Sequence, residues 1–468
     1  MRPGVQSIDY RALFSGLEVE VPLLDGRQAR YINFDNAAST PPLASVRSGV
    51  DAFLDYYASV HRGNGFKSQL STWAYESARE RALSFVGADP SDHICIFGKN
   101  TTEAINKLAR RLGLRRDDVV LVSSMEHHSN DLPFRAIAQV KHIGLLPDGR
   151  LDLADYQTQL ERNAGKVRLV ALAGASNVTG YLNPLHQMAE QAHQAGALML
   201  ADCAQLAPHR QVEMLALADP AHFDFVALSA HKLYAPFGTG ALIGRRDVFE
   251  RGEPDQQGGG TVEIVTLEDV VWAGPPDRDE AGSPNVVGAV AMALAMRQLE
   301  SLGMDAIAGH EAELTAYALQ RLSEVPSLHI YGDTDPGGGS TRLGVIPFRL
   351  DGFSHFLVAA VLGHEFGIGV RSGCFCAHPY VLALLGLNQA EAAHARQLML
   401  EGDRSQMPGM IRASFGLYNT PEEIDALVAA LHAIAGRQYR GEYVQDTASG
   451  EYHPRGWNPD FRHYFNPG

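Results

Sequence analysis

From residue 93 onward, short apolar runs alternate with longer amphipathic ones: HICIF, then TTEAINKLARRLGL, then DVVLVSS, KVRLVALAGAS, ALMLADCAQ and FDFVALSAHK. Short apolar runs bounded by turn signals read as buried strands and the amphipathic intervals as crossover helices, so this order predicts a mainly parallel sheet flanked by helices. Ligands of such sheets bind beyond the carboxyl ends of the strands. The polar residues that follow the runs (Thr101, Thr102, His127, Asn177, Asp202, Gln205, His231 and Lys232) are therefore expected in one crevice, although they lie far apart in the chain.

A second unit follows the turn-rich GPPDRDEAGSPN. A long helical pattern begins near Val286, then come strand-like LHIYGD and RLGVIPFRL, helical HFLVAAVLGHEF, and MIRASFGLYNTPEEIDALVAALHAI, which together predict a smaller α/β unit with a mixed or antiparallel sheet. Thr420, Pro421 and Glu423 give the last helix an N-cap, an N1 proline and a capping-box acid. The domains read this way are an N-terminal segment 1–30, a large domain 31–290, a small domain 291–436 and a tail 437–468. Seven aromatics in those last 32 residues set the tail apart from disordered segments, so it is expected to pack on the body or on a second subunit.

Composition excludes several classes. The chain's 468 residues suit two or three packed units, with 39 basic against 54 acidic residues, a net charge of −15 and no basic block to follow a nucleic-acid backbone. Four cysteines (Cys95, Cys203, Cys374, Cys376) are too few and too unevenly spaced for a disulfide framework, which suits a reducing compartment. The opening MRPGVQSIDYRALF lacks an apolar signal core, and the apolar stretch VVGAVAMALAM is too short to span a bilayer. The expectation is a cytoplasmic protein with no membrane or nucleic-acid partner.

The chemistry concentrates in SAHKLYAPFGTGALIG at 229–244. A lysine after a buried strand and before a Gly-rich turn holds its amine over the crevice, where loss of a proton would make it a Schiff-base former. Asp202, at the end of another strand, fits the carboxylate that a pyridoxal ring needs against its nitrogen to stay an electron sink. NTTEAIN at 100–106 supplies a phosphate cup, a hydroxyl-bearing turn opening a helix whose free N–H groups point at an anion, and Ser229 and His231 can add to it. EHHSN at 126–130 places His127 where an imidazole can lie over a planar ring. No HExxH or second ligand cluster accompanies these histidines, so no metal is expected there. Taken singly, each feature is ordinary: a surface lysine, a turn aspartate, a helix cap.

Taken together, FDNAAST, VHRG, NTTEAIN, MEHHSN, SNVTG, ADCAQ, SAHKLYAPFGTG, EAGSPN, RSGCFCA and RASFGLYNTPEE resemble the class V aminotransferase family of fold type I pyridoxal-phosphate enzymes. Within it the pattern is most similar to group II cysteine desulfurases and selenocysteine lyases. The motifs run in family order from about residue 31 to 435. The resemblance implies a large domain with a mainly parallel seven-stranded sheet, a smaller C-terminal α/β domain, pyridoxal 5'-phosphate as cofactor and a homodimer. It implies that Lys232 bonds the cofactor, Asp202 pairs with the pyridine nitrogen, His127 stacks on the ring, and Gln205 and Asn177 contact the phenolic oxygen. Thr101, Thr102, Ser229 and His231 would hold the phosphate, joined by Ser283 from the other subunit. Arg412 and Arg371 would anchor the substrate carboxylate through planar forks.

In GVRSGCFCAHPY the family spacing from Arg371 selects Cys376 as the sulfur nucleophile. The positions where relatives usually carry two histidines are here Cys374 and Phe375, and the resulting CFC pattern is similar to that of the desulfurase-like part of molybdenum cofactor sulfurases. The expected activity is removal of sulfur from L-cysteine, giving alanine and a persulfide on Cys376, with a sulfur-acceptor protein as a possible partner. The alternatives are a C–S β-lyase, aminotransferase or epimerase working on a larger amino acid without a persulfide, or a non-catalytic docking scaffold. A thiolate there would draw on nearby positive charge, with His378 or Arg371 the candidates.

Overall fold

Seven strands form the central sheet of the computed structural model, which describes residues 8–335 and 341–468. In chain order they are β1 (His93–Gly98), β2 (Val119–Ser123), β3 (Gln139–Ile143), β4 (Val167–Ala173), β5 (Leu198–Asp202), β6 (Phe225–Ser229) and β7 (Gly240–Arg245). Their spatial order is β1-β7-β6-β5-β4-β2-β3, parallel except for β7, which runs antiparallel to both β1 and β6. The residues of β2, β5 and β6 are buried almost throughout, as expected for a sheet covered on both faces. Because parallel strands end at one edge, the turns after β1, β2, β4, β5 and β6 open on the same crevice.

Two strands were not legible as such. β3, QVKHI, alternates exposed and buried residues at the sheet edge and lacks an apolar run. β7, GALIGR, looked like a glycine-rich turn. Its glycines have a packing reason, since a Cβ on Gly240 would lie 2.5 Å from the Asn100 carbonyl carbon, and one on Gly244 would lie 2.4 Å from the Phe225 ring. Their absence lets β7 slot between β1 and β6.

The connecting helices that position the site are α1 (Thr101–Arg111) and α2 (Leu185–Gln194). The helix expected near Val286 is α3 (Val286–Leu302), capped by Asn285, whose side chain accepts from the Gly288 N–H at 2.9 Å. Ala289, Met292, Ala295, Met296 and Leu299 pack into the core of the large sheet. The helix therefore runs unbroken through residue 290, where the reading from sequence divided the two domains. At Gly303 the chain turns into α4 (Met304–Leu322).

A second sheet, wholly antiparallel, has the order β8 (Leu328–Ile330), β9 (Val345–Leu350), β11 (Met410–Ser414), β10 (Arg371–Gly373). Phe348, Ile346, Ile411 and Ala413 join the buried faces of α5 (His355–Phe366) and α6 (Pro421–Ala435) in a separate core. Thr420 and Glu423 form the expected capping box on α6. The tail divides in two. A hairpin of β12 (Tyr443–Gln445) and β13 (Tyr452–Pro454) lies on α5, where Tyr443 donates to Glu365 at 3.1 Å and Trp457 meets His364 edge-on at 5.8 Å between centroids. Phe461, Tyr464 and Phe465 beyond it are exposed. No single helix among the described residues is long and apolar enough to cross a membrane.

Candidate active site

The crevice at the carboxyl edge of the large sheet is a cavity of about 480 Å³, within the range of small-ligand sites. It is lined by Thr101, Thr102, His127, Asn177, Asp202, Gln205, Ser229, His231, Lys232, Arg371, Cys376 and Arg412. Thus twelve of the thirteen residues expected from sequence meet in one place. The exception is Ser283, exposed and outside this cavity.

One wall is a cup for an anion. Asn100 caps α1 by accepting from the Glu103 N–H, which leaves Thr101 and Thr102 at the first two helical positions, where backbone N–H groups have no partner within the helix. Thr102 Oγ1 and Ser129 Oγ lie 2.7 Å apart, and the Thr101 N–H reaches Ser229 Oγ at 3.4 Å. Thr101 Oγ1 is buried with no hydrogen-bond partner among the described residues. A phosphate oxygen would satisfy it.

Across the cavity, Lys232 follows β6 in a tight turn, and its Nζ donates to Gln205 Oε1 at 3.3 Å. Burial lowers the amine to about 8, against the pull of Asp202. Asp202 is itself buried and accepts from the Ala204 N–H at 3.0 Å. Burial raises its carboxyl, an effect that the Ala204 bond and Lys232 oppose. A protonated ring nitrogen would give that carboxylate a direct partner. His127 Nδ1 accepts from the Ser129 N–H at 3.2 Å, and burial followed by the neighbouring Lys232 lowers the imidazole to about 3. It is therefore neutral, with its ring free to lie on a flat ligand. Behind it Glu126 is buried and takes hydrogen bonds from Ser123 Oγ at 2.5 Å, Asn130 Nδ2 at 2.8 Å and the Ala173 N–H at 3.1 Å. These bonds tie the EHHSN loop to β2 and β4. Cup, amine, buried carboxylate and neutral imidazole fit a phosphorylated pyridine aldehyde.

The opposite wall comes from the smaller sheet. Arg371 and Arg412 are directly paired across β10 and β11. Like charges in that register repel, and Asp35 resolves the conflict by taking Arg412 on Oδ1 at 3.0 Å and Arg371 on Oδ2 at 2.9 Å. Arg412 also donates to the Asn177 carbonyl at 2.9 Å, and its buried Nε–H has no partner among the described residues. Asp35 went unassigned in the sequence, although it stands in FDNAAST, because its partners lie hundreds of residues away; Arg412 is 377 positions on.

The two cysteines of RSGCFCA differ in every respect that matters to a nucleophile. Cys374 is buried, donates its thiol to the Pro408 carbonyl at 3.0 Å, and is pushed up to about 12 by burial. Cys376 is exposed and lines the cavity. Phe375 and Cys376 are both left-handed, at φ 52° and 55°, a conformation costly to residues with a Cβ. Their carbonyls are held from outside, Phe375 O by Asn177 Nδ2 at 2.7 Å and Cys376 O by the His128 N–H at 2.8 Å. Asn177 thus grips the cysteine loop with the amide expected to face the cofactor. Lys232, Arg412 and Arg371 line the same cavity as Cys376. His378 is lowered by burial and stacks on His128 with centroids 5.0 Å apart, and Arg371 is engaged by Asp35.

Residues 32–427 match the profile of the class-V aminotransferases. The chain belongs to that family. It is a pyridoxal-phosphate-dependent enzyme. It is 38% identical over 421 residues to a cysteine desulfurase of Dickeya dadantii, an alignment covering 88% of this chain and 93% of that one. The apo structure of a cysteine desulfurase from Thermococcus onnurineus superposes with a TM-score of 0.74 at 31% identity, covering 87% of this chain and 95% of that one. The cysteine desulfurase CsdA of Escherichia coli superposes with a TM-score of 0.74 at 27% identity, covering 92% and 98%.

Proposed function

We propose that this family member takes sulfur from L-cysteine, releases alanine and leaves the sulfur as a persulfide on Cys376. The observation that carries this reading is the asymmetry of the two loop cysteines, with only Cys376 exposed in the cavity that holds Lys232. In this reading Thr101, Thr102, Ser229 and His231 hold the cofactor phosphate, Asp202 the ring nitrogen, Gln205 and Asn177 the phenolic oxygen, and His127 the ring face. The bound cofactor supplies an electron sink for the pair left when the substrate Cα proton departs. Lys232, lowered by burial, takes that proton and returns it. Arg412 and Arg371 orient the substrate carboxylate. Cys376 thiolate then attacks the substrate sulfur: an S–S bond forms, the C–S bond breaks, and its electron pair stays on the carbon, which takes up the proton released when the Cys376 thiol ionised and becomes the alanine methyl. Alanine with bound sulfane sulfur is the expected product, whereas pyruvate with ammonia would replace this reading with β-elimination.

The homodimer, with Ser283 completing the partner's phosphate cup, belongs to the same proposal, as do a sulfur-acceptor protein and a cytoplasmic location. The division into domains at 30, 290 and 436 is likewise proposed. Support for a second copy comes from Ile264, Val265 and Leu267, exposed on the hairpin that precedes Ser283.

Two expected results follow from the geometry. Only the neutral amine captures an aldehyde, so cofactor uptake by the apoenzyme should rise about tenfold per pH unit below pH 8 and level off above it. A stopped-flow rate still climbing at pH 10 would describe an ordinary lysine instead. Asp35→Asn should lower unfolding stability by roughly 3 kcal/mol, because it strands the buried Arg412. It should also cut kcat/KM for cysteine about tenfold, mainly through KM, as the carboxylate anchor loses its alignment. Urea unfolding and initial-rate titrations check both, and an unchanged KM would remove Asp35 from substrate positioning.

A further inference from the structure

At the far edge of the large sheet, away from the crevice, His193 at the end of α2 and His222 and Asp224 just before β6 converge. The nearest ligand atoms of the three, one from each residue, all lie within 4.8 Å of one another. The separations are 2.9 Å from His193 Nε2 to Asp224 Oδ2 and 3.4 Å from His222 Nε2 to Asp224 Oδ1. The opposite nitrogen of each ring lies against a backbone carbonyl, His193 Nδ1 on Pro220 O at 2.7 Å and His222 Nδ1 on Asp219 O at 2.6 Å. His193 Nε2 carries a second proton in its bond to the Asp224 carboxylate, one that a bound cation would displace; a carbonyl accepts only from an N–H, so each Nδ1 carries a proton and each ring is pinned through it. This is the arrangement by which metal-binding histidines are oriented. His93, the first residue of β1, repeats it, with Nδ1 on Asp89 O at 3.2 Å, and is paired in register with Arg245, whose guanidinium bonds Asp224.

Asp224 has Arg245 and His193 as partners, but two ring nitrogens beside it are left over. His222 and His93 are at least nine-tenths buried, yet Nε2 of both has no hydrogen-bond partner among the described residues. A proton on His193 would satisfy its own contact with Asp224 but not the other two nitrogens. Arg245 donates to Asp224 Oδ1 at 3.1 Å, and Oδ2 also accepts from the Met199 N–H at 2.7 Å. A cation bound through Oδ2 leaves the Arg245 contact in place. Nitrogen and carboxylate ligands at this number suit zinc, with water in the remaining position, better than calcium or magnesium, which take oxygen.

We propose that His193, His222 and Asp224, with His93 beside them, form a zinc-class divalent cation site separate from the cofactor crevice. The imidazoles of His193 and His222 are stacked, with centroids 4.1 Å apart and planes 16° from parallel, so binding requires the rings to tilt until their lone pairs meet.

The test is equilibrium dialysis of chelator-treated holoenzyme against ZnCl2 at pH 7.5, with bound zinc counted per chain. Wild type and Cys376→Ser should each bind one equivalent, and the His193→Asn/His222→Asn variant none. Asparagine keeps a donor where each Nδ1–H stood and removes the Nε2 ligand. Zinc should also raise the unfolding midpoint of wild type and leave that of the double variant unmoved. If the double variant does not fold, single His222→Asn decides, with affinity at least tenfold weaker expected. Absence of saturable zinc in wild type, retention of zinc by the histidine variant, or its loss in Cys376→Ser would overturn the proposal.

Discussion

Replacing Cys376 with alanine is expected to cut alanine release from cysteine by about a thousandfold or more, as loss of a nucleophile does when nothing nearby replaces it. The cofactor should stay bound, because none of the residues proposed to hold it comes from this loop. Cys374→Ala is the control. Its thiol is buried on Pro408 O, so the substitution should cost about 1 kcal/mol of stability through one lost hydrogen bond and leave turnover within a few-fold of wild type. Alanine is measured by chromatography and the persulfide by cyanolysis. A Cys376→Ala enzyme that still makes alanine at the wild-type rate ends the desulfurase reading, and collapse of activity in Cys374→Ala with Cys376 intact would move the nucleophile two residues back.

The second large effect is expected for Lys232→Ala. It should remove the visible absorption of lysine-bound cofactor and lower turnover by about a thousandfold or more. Folding should hardly change, since the amine is held at a burial cost and, among the described residues, makes one side-chain hydrogen bond, to Gln205. Absorbance spectra, far-UV circular dichroism and gel filtration separate these effects. Retention of the visible band would mean that another amine carries the cofactor.

How far the sequence revealed the structure depended on how local the signal was. β1, β2, β4, β5 and β6 announced themselves as apolar runs, and the residues after them gathered at one edge because parallel strands must end together. β3 escaped notice because an edge strand need not be apolar, and β7 because glycines chosen for close packing resemble a turn. The cofactor-facing residues were legible for the same topological reason. Asp35 was not: its meaning depends on two arginines paired across a different sheet. The second duty of Asn177 was equally hidden, since nothing near SNVTG indicates that its amide holds the carbonyl of Phe375. Glu126 was visible as part of EHHSN, but its burial and three partners come from β2 and β4 as well as its own loop.

The left-handed pair Phe375 and Cys376 has a consequence for how the enzyme can fail. Cup, carboxylate, imidazole and amine all lie between Thr101 and Lys232, whereas the cysteine loop takes its shape from two contacts made across the cavity, by His128 and Asn177. The nucleophile is thus placed by residues outside its own loop, one of which, His128, is not among those proposed to hold the cofactor. A lesion that loosens the His128 contact should leave a protein that is yellow, folded and idle, so a preparation judged by its spectrum alone can pass as intact after its sulfur chemistry has gone.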